Sequence, residues 1–181
     1  MDLHEKTKYK FAEAIKSLMQ YHELDKITVT DIVKVSQMTR QTFYRYFKDK
    51  YDLVNWYFEE LAKKSFKQMD QGLTLKEGLT KKFQFIEEEL VFFKQAFKSN
   101  DYNSLVQYDY QCIYLFYKEM ISKRNLELTP ELDFLLQMYC HGSIDMTIQW
   151  INLGRPISID QMTGLLIEAI PTRLKEILIP Q

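Results

Sequence analysis

The chain has 181 residues, of which 46% are hydrophobic and 27% charged, and its formal net charge is −1 at pH 7. These values are ordinary for a folded protein and exclude a chain that is disordered throughout. It contains only five glycines and four prolines, so turn residues are scarce, which argues against a many-stranded sandwich or barrel and favours long helices. The longest apolar run, residues 112–117, is far shorter than the roughly 18 residues of a membrane span. With no apolar leader at its start, we expect a cytoplasmic protein that does not enter the membrane.

Apolar residues recur at the helical period along the chain, and no segment shows the alternation of a half-buried strand. We therefore predict an all-helical fold. The predicted helices cover about 2–21, 29–36, 40–46, 50–70, 75–97, 102–121, 130–152 and 159–178. Pro171 falls inside the last of these, where its ring and its missing N–H are expected to kink or split the helix.

The second and third predicted helices are short, and a turn of about three residues, Gln37–Thr39, separates them. Two short helices at this spacing are typical of a DNA-reading helix-turn-helix, whose second helix lies in the major groove. The first 50 residues also hold 10 Lys and Arg against 7 Asp and Glu, which is the sign of charge expected at a DNA-binding end.

The second of these helices divides into an inner aromatic face and an outer polar face. At 100° per residue, Phe43, Tyr46 and Phe47 point inward together. The residues that lie on the outer face or flank it all donate hydrogen bonds, and none is acidic: Gln41, Thr42, Tyr44, Arg45 and Lys48. Because the DNA polyanion repels carboxylates, this composition favours contact with DNA over contact with water alone. Glutamine and arginine suit base edges, whereas lysine and tyrosine suit phosphates.

The stretch from Ile27 to Trp56 resembles the DNA-binding domain of TetR-family transcriptional regulators. The resemblance lies in a Thr-Val-x-Asp-Ile opening, in the pattern hydroxyl-Arg-x-Thr-Phe-Tyr-x-Tyr-Phe at 39–47, and in the Lys-Asp-Lys that follows. It implies an all-helical homodimer that binds double-stranded DNA. The helix-turn-helix domain would occupy residues 1–48, and a larger helical domain for dimerisation and regulation would occupy 49–181, with the helix from Lys50 connecting the two.

The same resemblance assigns DNA contacts to individual residues. The base-reading positions of the family fall on Arg40, Gln41, Thr42 and Arg45. Its phosphate-contacting positions fall on Thr28, Tyr44, Lys48 and Lys50. The chain departs from the family in the turn, where Gln37 stands in place of Gly, and a glutamine with the positive φ of this turn is strained. The helical angle of Arg40 places it nearer the inner face, so it ranks below Gln41 and Arg45 as a base reader.

Two helices near the end of the chain, 130–152 and 158–178, are predicted to pair with their symmetry mates as a four-helix bundle. The residues expected at this dimer interface are Tyr139, Met146, Trp150, Met162, Leu166 and Ala169. The competing interpretation is that both helices pack inside the core of one monomer. The segment 150–158 also resembles a TetR subgroup that includes an activator of dihydroxyacetone kinase operons.

Control is expected to act through a cluster of aromatic and apolar residues in the C-terminal domain. The cluster consists of Tyr110, Tyr114, Tyr117, Met146 and Trp150. These side chains are suited to line a cavity for a small molecule, to form a docking surface for a regulatory protein, or simply to pack in the core and dimer interface. An empty central cavity would favour a ligand, and a filled core would favour a protein partner.

The sequence contains none of the HExxH, CxxC, GxSxG or P-loop patterns of enzymes and metal sites. Cys140 and His141 are adjacent on one predicted helix and point about 100° apart, so they do not pair. We therefore assign no catalytic residue, no metal and no cofactor. The predicted function is a sequence-specific DNA-binding regulator that acts as a homodimer on a palindromic operator, under the control of a small ligand or a protein partner. The alternative is a helical protein-interaction adaptor in which DNA binding is weak or lost.

Overall fold

The structure is a computed structural model that describes residues 2–63 and 74–179, and every regular element in these ranges is helical. The helices are α1 (Leu3–Met19), α2 (Val29–Ser36), α3 (Arg40–Tyr46), α4 (Lys50–Lys63), α5 (Leu75–Glu88), α6 (Leu90–Ala96), α7 (Leu105–Lys123), α8 (Pro130–Asn152), α9 (Ile159–Glu168) and α10 (Thr172–Leu178), with a 3₁₀ turn at Leu24–Lys26. The predicted all-helical class is confirmed. None of the helices in the described ranges combines the length and the apolar character that crossing a bilayer requires.

The described residues divide into two compact units. The first unit consists of 2–63 and 85–106, and the second consists of 74–84 and 107–179. The first unit therefore extends beyond residue 48, because α4 and α6 both pack against α1.

Side-chain caps fix where several helices begin. Thr28 and Asp31 form a reciprocal capping box at α2, and Ser158 and Gln161 form another at α9. At α8 the Thr129 hydroxyl caps the first turn, and Pro130 occupies the first helical position, where its missing N–H costs no hydrogen bond. These caps satisfy amides that have no partner within the helix, and the starts predicted from them are confirmed.

Two predicted helices are wrong in length or continuity. The helix expected over 75–97 is two helices, broken at Glu89 (φ −110°, ψ 34°). The helix expected from residue 102 begins at Leu105, because the Asp101 carboxylate accepts a hydrogen bond from the Asn103 N–H (2.8 Å) and holds a turn there. The end predicted for the helix from Lys50, near residue 70, lies outside the described residues.

The last predicted helix is split as expected. It ends as α9 at Glu168 and resumes as α10 at Thr172, with Pro171 between them at φ −51° and ψ 136°. At the end of α8, Gly154 adopts the expected left-handed conformation (φ 77°). These breaks give the second unit three separate helices along its C-terminal stretch.

The core of the first unit surrounds the inner side of α3. Phe11 of α1 is fully buried, and its ring lies edge-on to Phe43, with centroids 5.3 Å apart. Phe47 also contacts Phe11 (6.3 Å) and is buried. Burying these rings contributes roughly 1.5–3 kcal/mol each. The aromatic core thus fixes the orientation of the helix expected to read DNA.

The core of the second unit is built on α8. Its buried residues are Leu132, Leu136, Tyr139, Cys140, Ile144, Thr147, Trp150 and Ile151. The ring of Trp150 packs edge-on against Phe83 of α5, with centroids 5.3 Å apart. Within this core the Lys82 ammonium donates to both carboxylate oxygens of Asp109 (3.0 and 3.1 Å), and this ion pair is almost fully buried.

Candidate nucleic-acid interface

The turn between α2 and α3 has the shape of a helix-turn-helix even though it lacks glycine. Gln37 adopts the left-handed conformation (φ 55°, ψ 37°), which costs a residue with a side chain roughly 1–2 kcal/mol relative to the right-handed one. The N–H of Met38 donates to the carbonyl of Val33 (3.0 Å) and closes the end of α2. The left-handed conformation expected at this position is therefore present at Gln37, and it carries the strain expected of a residue with a side chain.

The start of α3 follows from local side-chain chemistry. Thr39 accepts a hydrogen bond from the backbone N–H of Thr42 (3.1 Å), as an N-cap does. The hydroxyls of Thr39 and Thr42 also lie 2.9 Å apart. Thr42, which we expected to read bases, is therefore half-buried and bound to the cap of its own helix.

The outer face of α3 is exposed and carries no acidic side chain. Its exposed residues from the start of the helix to just past its end are Arg40, Gln41, Tyr44, Arg45 and Lys48. Tyr44 is 50% exposed although its ring touches the buried Phe43 (centroids 5.5 Å apart). The structure thus brings five of the eight residues predicted to contact DNA onto one surface, with hydrogen-bond donors throughout.

Arg40 lies on this surface because its long side chain reaches across the turn to α2. Its Nη1 donates to the hydroxyl of Thr30 (2.8 Å), and its Nη2 donates to the hydroxyl of Tyr44 (3.3 Å). The centre of the guanidinium lies 5.7 Å from the centroid of the Tyr44 ring. The helical angle of Arg40 describes only its Cα, which lies nearer the inner face, whereas its side chain is exposed.

Two residues predicted to contact phosphates have other partners in this structure. The ammonium of Lys50 donates to the carbonyls of Asp25 (2.7 Å) and Ile27 (2.8 Å), and its burial lowers its pKa. The hydroxyl of Thr28 donates to the Asp31 carboxylate (2.6 Å), and hydrogen bonds from Thr28 hold the pKa of Asp31 below its ordinary value. Lys50 therefore does not extend to the outer surface with Lys48, since the carbonyls before α2 hold it.

Two contacts that the sequence pattern does not predict lie behind the same surface. Nδ1 of His4 lies 2.9 Å from the hydroxyl of Tyr46, which links the start of α1 to the end of α3. The ammonium of Lys8 lies over the ring of Trp56, 4.8 Å from its centroid. Nothing in the sequence pattern distinguishes a lone histidine or a lone threonine such as Thr30, so these contacts were not predictable.

The residues of the predicted control cluster divide between the surface and the core of the second unit. Tyr110 stacks on His141, with centroids 4.1 Å apart, and lies parallel to Tyr114 at 6.0 Å. The hydroxyl of Tyr114 donates to Asp133 (2.6 Å), which raises the pKa of Tyr114 to about 12. Tyr117 and Trp150 are instead buried, while Met146 is exposed. The five residues therefore do not line one common cavity.

A cavity in the core of the second unit is too small for an organic effector. Its volume is about 10 Å³, which is enough for one water molecule. Its walls are formed by Leu79, Lys82, Phe83, Ile113, Tyr117, Tyr139, Ser143, Thr147 and Leu166. Sites for small organic ligands are typically about 300–1,000 Å³, so side chains fill the core at this place.

Four of the six residues predicted at the dimer interface are buried within the second unit of a single chain: Tyr139, Trp150, Met162 and Leu166. The hydroxyl of Tyr139 donates to the Leu166 carbonyl (3.0 Å), which ties α8 to α9 within one chain. Apolar residues occur on nearly every side of α8, so periodicity alone did not identify its inner face. The other two, Met146 and Ala169, are exposed.

Other large apolar residues of the same helices are exposed. They are Phe134, Met138 and Met146 on α8 and Leu165 on α9, each at least 50% exposed. Phe134 also lines a surface groove of about 500 Å³, together with Pro130, Glu131, Leu135 and Arg173. We call the four exposed residues the outer apolar face.

Comparison with known protein families identifies both parts of the chain. Residues 12–56 match a family model described as bacterial regulatory proteins of the tetR family. Residues 73–172 match a model described as the C-terminal region of a transcriptional regulator of the same family. The second match alone covers more than half of the chain.

Similar individual proteins are regulators of the same kind. The chain is 28% identical over 101 residues to the HTH-type dhaKLM operon transcriptional activator DhaS of Lactococcus lactis subsp. lactis (strain IL1403). That match covers 54% of this chain and spans about half the length, 54%, of the curated relative.

Solved structures show the same fold at lower identity. The structure of the dihydroxyacetone kinase operon activator DhaS covers 93% of this chain and 96% of its own, with 20% identity and a TM-score of 0.67. The transcriptional regulator FadR from Bacillus subtilis, in complex with stearoyl-CoA, covers 96% and 98%, with 17% identity and a TM-score of 0.57.

Proposed function

This chain belongs to the TetR family of bacterial transcriptional regulators, and from that premise we propose that it acts as a homodimer on a palindromic operator in the cytoplasm. Each protomer would insert α3 into one major-groove half-site. A helix of seven residues contacts few base pairs, so tight binding requires two copies related by two-fold symmetry.

The observation that carries this proposal is the outer face of α3. Its exposed side chains are all donors, and Phe43 and Phe47 hold the helix rigidly from behind. Gln41 and Arg45 would read base edges, with Arg40 at the start of the helix as a third reader. Tyr44 and Lys48 would contact phosphates, which position the protein without carrying sequence information.

We infer that the dimer forms through the outer apolar face. Its exposed Phe134, Met138, Met146 and Leu165 form a surface of the kind that marks protein interfaces. Ala169, the C-cap residue just past the end of α9, is also exposed, and its small side chain allows close approach of a partner. Helices α8 and α9 would then form a four-helix bundle with their symmetry mates, as expected, but through residues other than most of those predicted.

We further propose that a protein partner, rather than a small molecule in the core, controls the regulator. The core cavity of about 10 Å³ has no room for an organic effector. Outside it, Tyr110 and Tyr114 form a stacked aromatic surface, and Leu115 of α7 is 59% exposed, a composition typical of protein interfaces. A protein fraction of cell extract should change the operator affinity of the purified regulator, and a filtrate of small molecules should not.

The proposed DNA-binding function is tested by titrating affinity against salt. For the wild type, affinity for duplex DNA should fall steeply with salt, because each neutralised phosphate adds roughly 0.9 to the logarithmic slope. Lys48→Ala should weaken binding to every sequence alike and reduce that slope by about 1. Arg45→Ala should instead lower the preference for the operator by about 1–3 kcal/mol.

The matched control is Lys123→Ala, since Lys123 ends α7 in the other unit. This variant should bind all duplexes as the wild type does. The assignment of the outer face to DNA is contradicted if Lys48→Ala and Lys123→Ala have the same affinity and the same salt slope.

A further inference from the structure

Thr30 and Arg40 form a polar bridge between the two helices of the helix-turn-helix. Thr30 is the second residue of α2, and Arg40 is the first residue of α3. The guanidinium Nη1 donates to the Thr30 hydroxyl at 2.8 Å, whereas Nη2 reaches Tyr44 at the longer distance of 3.3 Å. Within the described residues, the contact with Thr30 is thus the shorter of the two hydrogen bonds recorded for this guanidinium.

This bridge should lower the entropy that the Arg40 side chain loses when it binds DNA. A free arginine side chain loses rotamer entropy when a binding partner orders it. Two hydrogen bonds and the Tyr44 ring hold the guanidinium before any DNA is present, so less ordering remains for the moment of binding.

The bridge leaves the guanidinium able to bind. It has five N–H donors, and the contacts with Thr30 and Tyr44 use two of them. The remaining three lie at the N-terminal end of α3, the end from which helix-turn-helix proteins contact base edges. Two such donors suit the O6 and N7 acceptors of guanine.

We propose that Thr30 is a positioning residue, which orients Arg40 so that its free donors read a base pair in the operator half-site. This inference rests on the proposed DNA-binding function. Thr30 contributes through its hydroxyl oxygen as an acceptor, and it makes no contact with a base itself. Tyr44 also holds the Arg40 guanidinium, but it is proposed to contact phosphate as well. A substitution of Tyr44 would therefore change two contacts with DNA, whereas a substitution of Thr30 changes only the position of Arg40.

The test uses two variants that differ only in the hydroxyl. Thr30→Val keeps the branched shape and removes the acceptor, and Thr30→Ser keeps the acceptor. The probe is a duplex that the wild type enriches from a random pool, together with duplexes in which each base pair of the half-site is replaced in turn. The quantity measured is the ratio of dissociation constants between the replaced and the original duplex at each position.

The Arg40 and Thr30 variants should lose discrimination at the same single base pair of the half-site. Arg40→Ala should lower discrimination at one position by about 10- to 100-fold. Thr30→Val should lower it at the same position by about 3- to 10-fold, with the salt slope and the melting temperature unchanged. Thr30→Ser should stay within about twofold of the wild type. The double variant Thr30→Val/Arg40→Ala should match Arg40→Ala alone, because Thr30 acts only through Arg40.

Three results would overturn the inference while the proposed function stands. If Thr30→Val leaves discrimination intact where Arg40→Ala removes it, Arg40 needs no support from Thr30. If Thr30→Val weakens binding to all duplexes equally and makes the salt slope shallower, Thr30 is a phosphate contact. If Arg40→Ala changes discrimination at no position, Arg40 is not a base reader. If the wild type discriminates among no duplexes, the proposed function itself fails, and the inference falls with it.

Discussion

Gln37 turns the chain from α2 into α3 at a cost in backbone strain. Its left-handed conformation (φ 55°, ψ 37°) is one that glycine adopts freely and that other residues adopt at a cost of roughly 1–2 kcal/mol. The burial of Phe43 and Phe47 on the other side of the turn offsets this cost. The strain is therefore local, and a single substitution can relieve it.

Gln37→Gly should raise the free energy of unfolding by up to about 1 kcal/mol, because the relief of strain exceeds the extra entropy that glycine brings to the unfolded chain. Chemical denaturation measures the change. The control is Ser36→Gly, one residue earlier inside α2, which should lower the free energy of unfolding by about 0.5–1 kcal/mol. Equal destabilisation by both substitutions would show that the turn is not strained.

Helix α6 is tied to the rest of the first unit by polar contacts at both ends. At its start, Glu89 accepts hydrogen bonds from the Lys16 ammonium and from the Tyr57 hydroxyl, both at 2.8 Å. Just beyond its end, the Ser99 hydroxyl donates to the carboxylate of Asp25 (2.5 Å), in the 3₁₀ turn that precedes α2. These contacts explain why α6 belongs to the same compact unit as the helix-turn-helix.

The hydrogen bonds to the Asp25 carboxylate should make the free energy of unfolding depend on pH in the acid range. Hydrogen bonds from Ser99 and Tyr51 lower the pKa of Asp25 below its ordinary value of 3.8. The folded state therefore gains stability above pH 3.8, and this gain is lost as the pH falls through the lower, folded-state pKa. Asp25→Asn, which keeps an acceptor oxygen, should cost no more than about 1 kcal/mol at pH 7, because Asp25 is exposed and water screens its contacts.

Denaturation of the wild type and of Asp25→Asn across pH 2–7 measures this effect, and the difference between them should vanish at the acid end. Glu127→Gln, which removes a negative charge from an exposed position, serves as the control. A difference between wild type and Asp25→Asn that is constant with pH would assign the effect to packing instead of charge.

The elements that were predictable from sequence are those with local signals. Thr28 with Asp31, and Thr129 with Pro130, mark helix starts by chemistry that operates within four residues. The break at Glu89 has no such signal, because the apolar spacing of α5 continues into α6 and the partners of Glu89 come from distant helices. The inner face of α8 was not predictable for a related reason, since only tertiary packing distinguishes its two apolar sides.

At the scale of the whole molecule, exposed apolar residues favour assembly of the chain into a dimer. The outer apolar face lies on α8 and α9, and the buried apolar residues of the same helices already form the core of the second unit. Exposed large apolar side chains on these two helices are suited to contact with a second copy of the chain. The bundle proposed for the dimer uses that surface.

Leu165→Glu should produce a folded monomer, because a carboxylate buried in the interface without a partner raises the dissociation constant by at least about 100-fold. Sedimentation velocity at micromolar concentration measures the state of assembly, and circular dichroism should show that the helices are retained. Leu115→Glu introduces the same charge at a similarly exposed leucine on α7 and should remain dimeric. A dimer that persists in Leu165→Glu would place the interface elsewhere.

Selection of binding sites from a random duplex pool by the wild-type protein will show whether this regulator reads DNA as a symmetric pair of α3 helices. Two recognition helices related by two-fold symmetry are spaced about 34 Å apart or a multiple of it. A symmetric dimer should therefore enrich an inverted repeat whose half-site centres are about 10 base pairs apart, or a multiple of that spacing. Enrichment of a single asymmetric site, or of no sequence above the starting pool, would contradict this expectation.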